Sequence, residues 1–229
     1  MIDFSALFSL SYGLYIVSSG DKKEANGFVA NALFQVTADP PCFAVCCNKD
    51  NYTAEIIKRS GAFAFSVLHQ EASMELINIF GYKSGLNVNK FNNREYINGH
   101  NDIPIITEDC LAYMECKLIQ EYDVGTHYIF IGALMSAKKT KSDKNPMTYD
   151  YYRNVRKGFA PKNAPTYIES SLISQKANTE GKNTYQKYKC KVCGYIFEES
   201  ADQLFETLPN SWECPVCSVG KEEFIALKI

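Results

Sequence analysis

Two pairs of cysteines, Cys190-Lys-Val-Cys193 and Cys214-Pro-Val-Cys217, have the spacing at which two thiolates of one tight turn bind a metal ion. The twenty residues between the pairs let the two turns close on each other as a tetrahedral site of four sulfurs. That donor set selects zinc or iron, and spacing does not decide between them, because structural zinc ribbons use the same turns. A second place where residue types suggest chemistry is Asn48-Lys49-Asp50-Asn51-Tyr52-Thr53, which links an apolar run to an expected helix. Backbone amides at a helix start, a hydroxyl, amide side chains and a lysine together favour an anion such as a phosphate. The same Asn and Thr residues also serve as plain helix caps.

The chain holds nine cysteines, an odd number that suits metal better than a secreted disulfide framework, so the expected compartment is the reducing cytoplasm. Cys42, Cys46, Cys47, Cys110 and Cys116 lie in or beside apolar runs, where a free thiol behaves as a small hydrophobe. A formal net charge of -2 supplies no broad positive field, which argues against nucleic acid as a partner. The charge-free stretch 4–20 follows Asp3 and is diluted by Ser, Tyr and Gly. It reads as a buried element, not as a signal peptide or membrane span. Neither Gly-x-Gly-x-x-Gly nor Gly-x-x-x-x-Gly-Lys occurs, which argues against a Rossmann dinucleotide fold and a P-loop.

These residues need elements to position them. A length of 229 residues, 46% of them hydrophobic, suits one medium domain with a small appendage. Short apolar runs at 14–17, 42–47, 62–68, 112–119 and 128–135 predict strands. Helices are expected at 53–60, begun by Thr53 and stopped by Gly61, and at 71–80, stopped by Gly81. Many short strands with two short helices favour a mainly β chain, a β-barrel with helical insertions, over a doubly wound sheet. The polar, aperiodic stretch 169–186 reads as a linker between a first domain, 1–168, and a small module, 187–229.

Aromatic residues crowd the module: Tyr188, Tyr195, Phe197, Phe205, Trp212 and Phe224. Such a shell keeps water from a metal and supplies buried area that so small a domain otherwise lacks. The run Tyr188-Lys-Cys190-x-x-Cys193-Gly194-Tyr195, then Phe205-x-x-Leu208-Pro209-x-x-Trp212-x-Cys214-Pro215-x-Cys217 and Phe224, resembles rubredoxin across the whole module. The resemblance implies one iron held by Cys190, Cys193, Cys214 and Cys217, carrying one electron. Two departures stand out: the segment between the pairs is shorter than in most free-standing rubredoxins, and Ser218 stands where they usually have glycine. If residue 218 is left-handed, serine costs about 1–2 kcal/mol relative to a residue without a β-carbon. From Lys187 onward there are five lysines and seven acids, so the module carries the net charge, and an acidic face can steer it toward a basic partner.

The first domain also carries a resemblance. Residues Ala25-Asn26-Gly27-Phe28-Val29-Ala30-Asn31-Ala32-Leu33-Phe34-Gln35-Val36, Asp39-Pro40-Pro41 and 48–53 are similar to the flavin reductase-like, FMN-binding split-barrel family. Ser84-Gly85, Lys90-Phe91, Gly125-Thr126-His127-Tyr128-Ile129-Phe130-Ile131-Gly132 and Ala164-Pro165-Thr166-Tyr167 extend the similarity over nearly all of 1–168. It implies that Val29, Ala30, Asn31 and Ala32 line the isoalloxazine, that Asn48, Lys49 and Thr53 hold ribityl and phosphate, and that Lys90 helps neutralise the phosphate. His127 stands where the family commonly has an Asp-His pair, with Thr126 in place of the Asp, and is the candidate catalytic residue toward flavin or nicotinamide. Tyr152 and Arg153 are candidates to flank the cofactor, while His69 and His100 match nothing. The family implies a homodimer with flavin near the subunit interface.

Split barrel first and rubredoxin last is the arrangement of the high-molecular-weight rubredoxins, which implies that NAD(P)H reduces FMN and that FMN passes single electrons to the iron. By the same resemblance the partner is a flavodiiron oxygen or nitric-oxide reductase. Two other readings stay open: a flavin reductase that releases reduced flavin, and a non-redox binding protein built on a zinc ribbon.

Overall fold

The computed structural model describes residues 2–21, 23–169, 172, 186–199 and 203–227. The first domain carries strands β1 (Tyr15–Gly20), β2 (Ala25–Ala30), β3 (Leu33–Ala38) and β4 (Pro41–Asn48), helix α1 (Tyr52–Ser60) and strand β5 (Ala62–Leu68). Helix α2 (Met74–Tyr82), strands β6 (Tyr96–Asn98), β7 (Pro104–Ile106), β8 (Cys110–Asp123) and β9 (His127–Lys139), and helix α3 (Tyr149–Asn154) follow. Seven strands form one antiparallel sheet in the order β2-β1-β5-β8-β9-β4-β3. β2 and β3 are the two ends of that sheet, yet only Asn31 and Ala32 separate them in the chain. The sheet therefore has to curl until its ends meet at that turn, which makes a barrel split along the unpaired β2 and β3 edges. Bulges in β3, β8 and β9 sharpen the curl.

Inside the barrel Val17, Phe28, Val45, Phe63, Phe65 and Phe130 pack with Ala54 and Ile57 of α1. Outside it, α2 lays Leu76, Ile77 and Phe80 on Ile16 and Leu68, joined by Met147 and Tyr152. β1 and β5 are thus buried on both faces, which is why apolar residues follow one another without alternation at Tyr15–Val17 and Ala62–Phe65, with the buried hydroxyls of Ser18, Ser19 and Ser66 bonded to carbonyls. Ile103 and Ile105 cover Ala62 and Ala64 on the outer side of β5.

The expected strands are present, but β8 and β9 run well past 119 and 135. Their outer halves are exposed and lack apolar alternation, so the sequence signal stops where burial stops. Asn51, not Thr53, caps α1, its Oδ1 accepting from the Thr53 amide at 3.0 Å, and Gly61 closes the helix at φ +67° as expected. α2 starts later than 71 because Ser73 caps it, its hydroxyl accepting from the Leu76 amide at 3.1 Å. Gly81 is no stop: it lies within α2, beside Val29. α3, capped by Thr148, was not expected from the sequence.

In the module β10 (Lys187–Cys190) pairs antiparallel with β11 (Ile196–Glu198) on one side and β12 (Phe224–Leu227) on the other. Tyr188 stacks on Phe205 at 4.1 Å, and Phe197, Trp212 and Phe224 meet Phe205 at 5.3–5.8 Å. The aromatic shell read from the sequence is this cluster. Of the expected linker, only Glu169, Leu172 and Gln186 fall among the described residues.

Candidate metal centre and flavin site

The two cysteine turns close in the same way. The amide of Cys190 donates to the Tyr195 carbonyl at 2.8 Å and that of Gly194 to the Cys190 carbonyl at 3.0 Å; in the second turn Cys214 donates to Val219 and Ser218 to Cys214, both at 2.8 Å. Gly194 (φ +83°) and Ser218 (φ +55°) are left-handed. The turns bring Cys190 Sγ to 3.7 Å from Cys217 Sγ and Cys193 Sγ to 3.6 Å from Cys214 Sγ, and all four sulfurs lie within 4.8 Å of one another. A tetrahedron of sulfurs about 2.3 Å from a metal has edges of about 3.8 Å, so the four fit a single ion. All four are buried. Contact with Cys214 pushes the Cys193 thiol up, while contact with Cys193 holds Cys214 far below the usual range. Backbone amides of Tyr195, Val216, Cys217 and Val219 also face the sulfurs and favour their negative charge.

In the first domain a cavity of about 290 Å³ opens between the start of α1, the end of α2 and the segment after α3, lined by Asn51, Gly81, Tyr82, Lys90 and Asn163. Lys90 is only 5% exposed, and its ammonium donates to the carbonyls of Gly27 at 2.8 Å and Phe80 at 3.3 Å. Burial pulls its pKa down to about 8, against a smaller upward pull from Cys47. Thr53 is fully buried, and its hydroxyl has no hydrogen-bond partner. A buried ammonium beside a cavity and an orphaned hydroxyl near a helix start fit a phosphate-bearing flavin.

The loop before α1 differs from the open cradle of amides expected there. The amide of Lys49 donates to Thr126, that of Asp50 to Asn48 Oδ1, that of Asn51 to the Asn48 carbonyl, and those of Thr53 and Ala54 to Asn51. Asn48 and Asn51 satisfy these amides because Asn oxygens cap local turns readily. Lys49 is engaged as well: its ammonium bonds Asp123 Oδ2 at 2.6 Å and sits over the Tyr128 ring at 5.1 Å.

Other expected residues fall around the same region. Val29 lies against Gly81, whereas the side chain of Ala30 points into the barrel core. Asn31 is buried and donates from Nδ2 to Thr166 Oγ1 at 2.6 Å, and the Ala32 carbonyl accepts from Cys46 at 3.0 Å. His127 pairs with Asn48 across β9 and β4. Its Nε2–H donates to the carbonyl of Asn163, a cavity residue, at 3.1 Å, and its Nδ1 lies 2.9 Å from Thr126 Oγ1. A carbonyl only accepts, so Nε2 carries a proton. Tyr152 is buried with its hydroxyl 3.0 Å from that of Tyr82, and the Arg153 guanidinium lies over Phe8 at 3.6 Å. His69, buried 3.6 Å from Asp109, and His100, 3.0 Å from Glu115, stand apart as structural pairs.

Burial pushes up the thiols of Cys46, Cys47, Cys110 and Cys116, the last two to about 11 and about 12, as suits small hydrophobes. Tyr82, Asn163 and Phe159 were not singled out from the sequence. No local pattern marks them, because their place depends on how the segment after α3 returns to the barrel.

Residues 7–158 match the flavin reductase like domain and residues 187–224 match rubredoxin. The chain is therefore a member of the flavin reductase-like family that carries a C-terminal rubredoxin domain, the make-up of the high molecular weight rubredoxins. A High molecular weight rubredoxin of Moorella thermoacetica is 38% identical over 232 residues, covering 97% of this chain and 99% of that protein. A Ferric-chelate reductase (NAD(P)H) of Archaeoglobus fulgidus is 41% identical over 74% of this chain and 99% of its own length. Among solved structures, the NADH:FAD oxidoreductase SgcE6 of Streptomyces globisporus superposes with a TM-score of 0.55 at 26% identity, over 61% of this chain and 81% of that one. The protein is an oxidoreductase whose barrel binds flavin and whose four cysteines bind iron. Among the described residues no helix is long and apolar enough to cross a membrane.

Proposed function

We propose that the protein takes a hydride from NAD(P)H onto FMN and delivers electrons one at a time, through the module's iron, to a redox partner protein of the flavodiiron oxygen or nitric-oxide reductase type, in the reducing cytoplasm. The observation that carries the reading is a single chain combining a flavin reductase-like barrel with four buried sulfurs at tetrahedral spacing, 3.6 and 3.7 Å across its two close pairs. FMN supplies the conversion between a two-electron donor and a one-electron acceptor. Lys90 neutralises its phosphate, the Thr53 hydroxyl donates to it, and Asn48 and Lys49 stand at the ribityl side. Val29, Asn31 and Ala32, with the backbone of Ala30, border the ring. His127, through Asn163, holds the cavity rim where nicotinamide enters.

A homodimer is part of this reading. Phe34 and Val36 on the edge strand β3, with Ile119, Tyr122 and Met135 on β8 and β9, are each 44–59% exposed, and a second copy would cover them. Sedimentation should give twice the chain mass.

Absorption spectra before and after anaerobic NADH test the whole reading. The resting protein should show flavin and ferric-thiolate bands, and both should bleach. A colourless preparation with one zinc would sink the electron-transfer reading, and flavin bleaching without prompt loss of the iron band would indicate release of reduced flavin instead.

A further inference from the structure

We propose that the iron module docks on the barrel of its own chain, so that the Cys190–Cys193 turn closes one wall of the flavin cavity and Val192, Tyr82 and Phe159 form the contact through which electrons enter the iron. The proposal rests on the reading of the preceding section.

Tyr82 and Phe159, both from the barrel domain, pack against the cluster of Cys190, Cys193, Cys214 and Cys217. Phe159 also meets Tyr195 of the module edge-on, at 5.8 Å and 74°. Tyr82 is fixed from below: its hydroxyl donates to the Phe159 carbonyl at 2.5 Å and lies 3.0 Å from the Tyr152 hydroxyl. Val192, between the two cysteines of the first turn, lines the same cavity of about 290 Å³ as Lys90, Gly81 and Asn51. On the other side Cys193, Gly194 and Ile196 line a cavity of about 420 Å³ with Phe8, Tyr149 and Phe159 of the barrel. Both flanks of Cys193 therefore face the barrel. An ion pair ties the module to the first linker residue, which is itself held to the barrel: Lys189 Nζ lies 3.4 Å from Glu169 Oε1, and Glu169 also accepts from the Tyr167 hydroxyl at 2.7 Å.

This arrangement needs no bond made or broken at the contact, since the electron that reduced flavin loses is the one ferric iron gains. Two aromatic rings, Tyr82 and Phe159, pack directly on the cysteine cluster, and the turn that carries two ligands borders the cavity through Val192. The outward face of the module, with Ile225 on β12 half exposed, stays open to another protein.

Two measurements on the full chain test the docking. Zero-length carbodiimide coupling of the zinc- or iron-loaded protein should join Glu169 to Lys189 within a product of single-chain mass, with the Lys187–Glu198 pair (2.6 Å) as internal control. Recovery of the 169–189 link in a two-chain product, or its absence while the control pair couples, would overturn the proposal. In anaerobic stopped flow with NADH, Val192→Lys should lower the ratio of iron-band loss to flavin-band loss at least tenfold, whereas Ile225→Lys should leave that ratio as in the parent. An unchanged ratio in Val192→Lys also overturns it. If the parent protein shows no flavin or iron reduction at all, the redox reading fails instead, and coupling in the zinc-loaded protein still decides the docking.

Discussion

Gly194 and Ser218 occupy equivalent positions after the two cysteine turns, both left-handed at φ +83° and +55°, and only one of them lacks a β-carbon. An L side chain pays in that region about 1–2 kcal/mol. Ser218→Gly should therefore stabilise the metal-loaded module by about 1 kcal/mol. Gly194→Ala should weaken it by a similar amount through backbone strain alone, because an added β-carbon there meets nothing nearer than Lys189 Cε at 3.9 Å. Denaturation followed by the emission of Trp212, the chain's one tryptophan, reports both changes from inside the module.

Removing the metal should unfold the module and spare the barrel. Four-thiolate sites contribute on the order of 10 kcal/mol to folding, more than an aromatic cluster of this size supplies. Cys214→Ala or strong chelation should shift Trp212 emission to the red while the β-sheet circular dichroism of the barrel persists.

Lys90 makes flavin binding depend on pH. Burial lowers its pKa from 10.5 to about 8, so between those values the unfolded chain holds a proton that the folded flavin-free protein has released. Stability of the flavin-free protein should rise as pH climbs through that window. A phosphate favours the protonated amine, so FMN affinity should be highest below about pH 8 and fall above it. Titration of flavin fluorescence at several pH values checks the sign, and Lys90→Met should abolish the dependence while weakening FMN binding at neutral pH.

Gly132 tests the barrel core. A β-carbon built there would lie 2.6 Å from Phe63 Cε1 and 2.7 Å from Cys116 Cβ, both buried. Gly132→Ala should cost about 1–3 kcal/mol, read as a lowered thermal midpoint of the barrel.

His127 holds Asn163 by one hydrogen bond of 3.1 Å on the cavity rim. His127→Ala should lower kcat/KM for NAD(P)H about tenfold, the size expected for one lost bond of about 1–1.5 kcal/mol, with the iron spectrum unchanged.

Several strands were legible because burial leaves a nearly continuous apolar run: 62–68, interrupted only by Ser66, coincides with β5, and 42–47 lies within β4. The outer halves of β8 and β9 carried no such signal, since strand pairing there is held by backbone hydrogen bonds and not by burial. Helix boundaries went astray where two capping residues competed, Asn51 with Thr53 at α1, and where Gly81, with a helical backbone, continued α2 to Tyr82.

By itself the sequence determined the ligand set, Cys190, Cys193, Cys214 and Cys217, because a turn of four residues fixes where two thiols can go and an aromatic shell of matching spacing completes the module. It also singled out Lys90, which lines the cavity, and His127, which hydrogen-bonds the cavity residue Asn163. Only the tertiary structure decided which of them have polar groups left to offer. Lys49 is engaged by Asp123 and the loop amides by Asn48, Asn51 and Thr126, while Lys90, buried at the cavity wall, donates to the Gly27 and Phe80 carbonyls and keeps a third N–H. It also decided where the metal turn faces, since Tyr82 packs against the cluster of Cys190, Cys193, Cys214 and Cys217 from more than a hundred residues away, and no local pattern encodes a contact made at that separation.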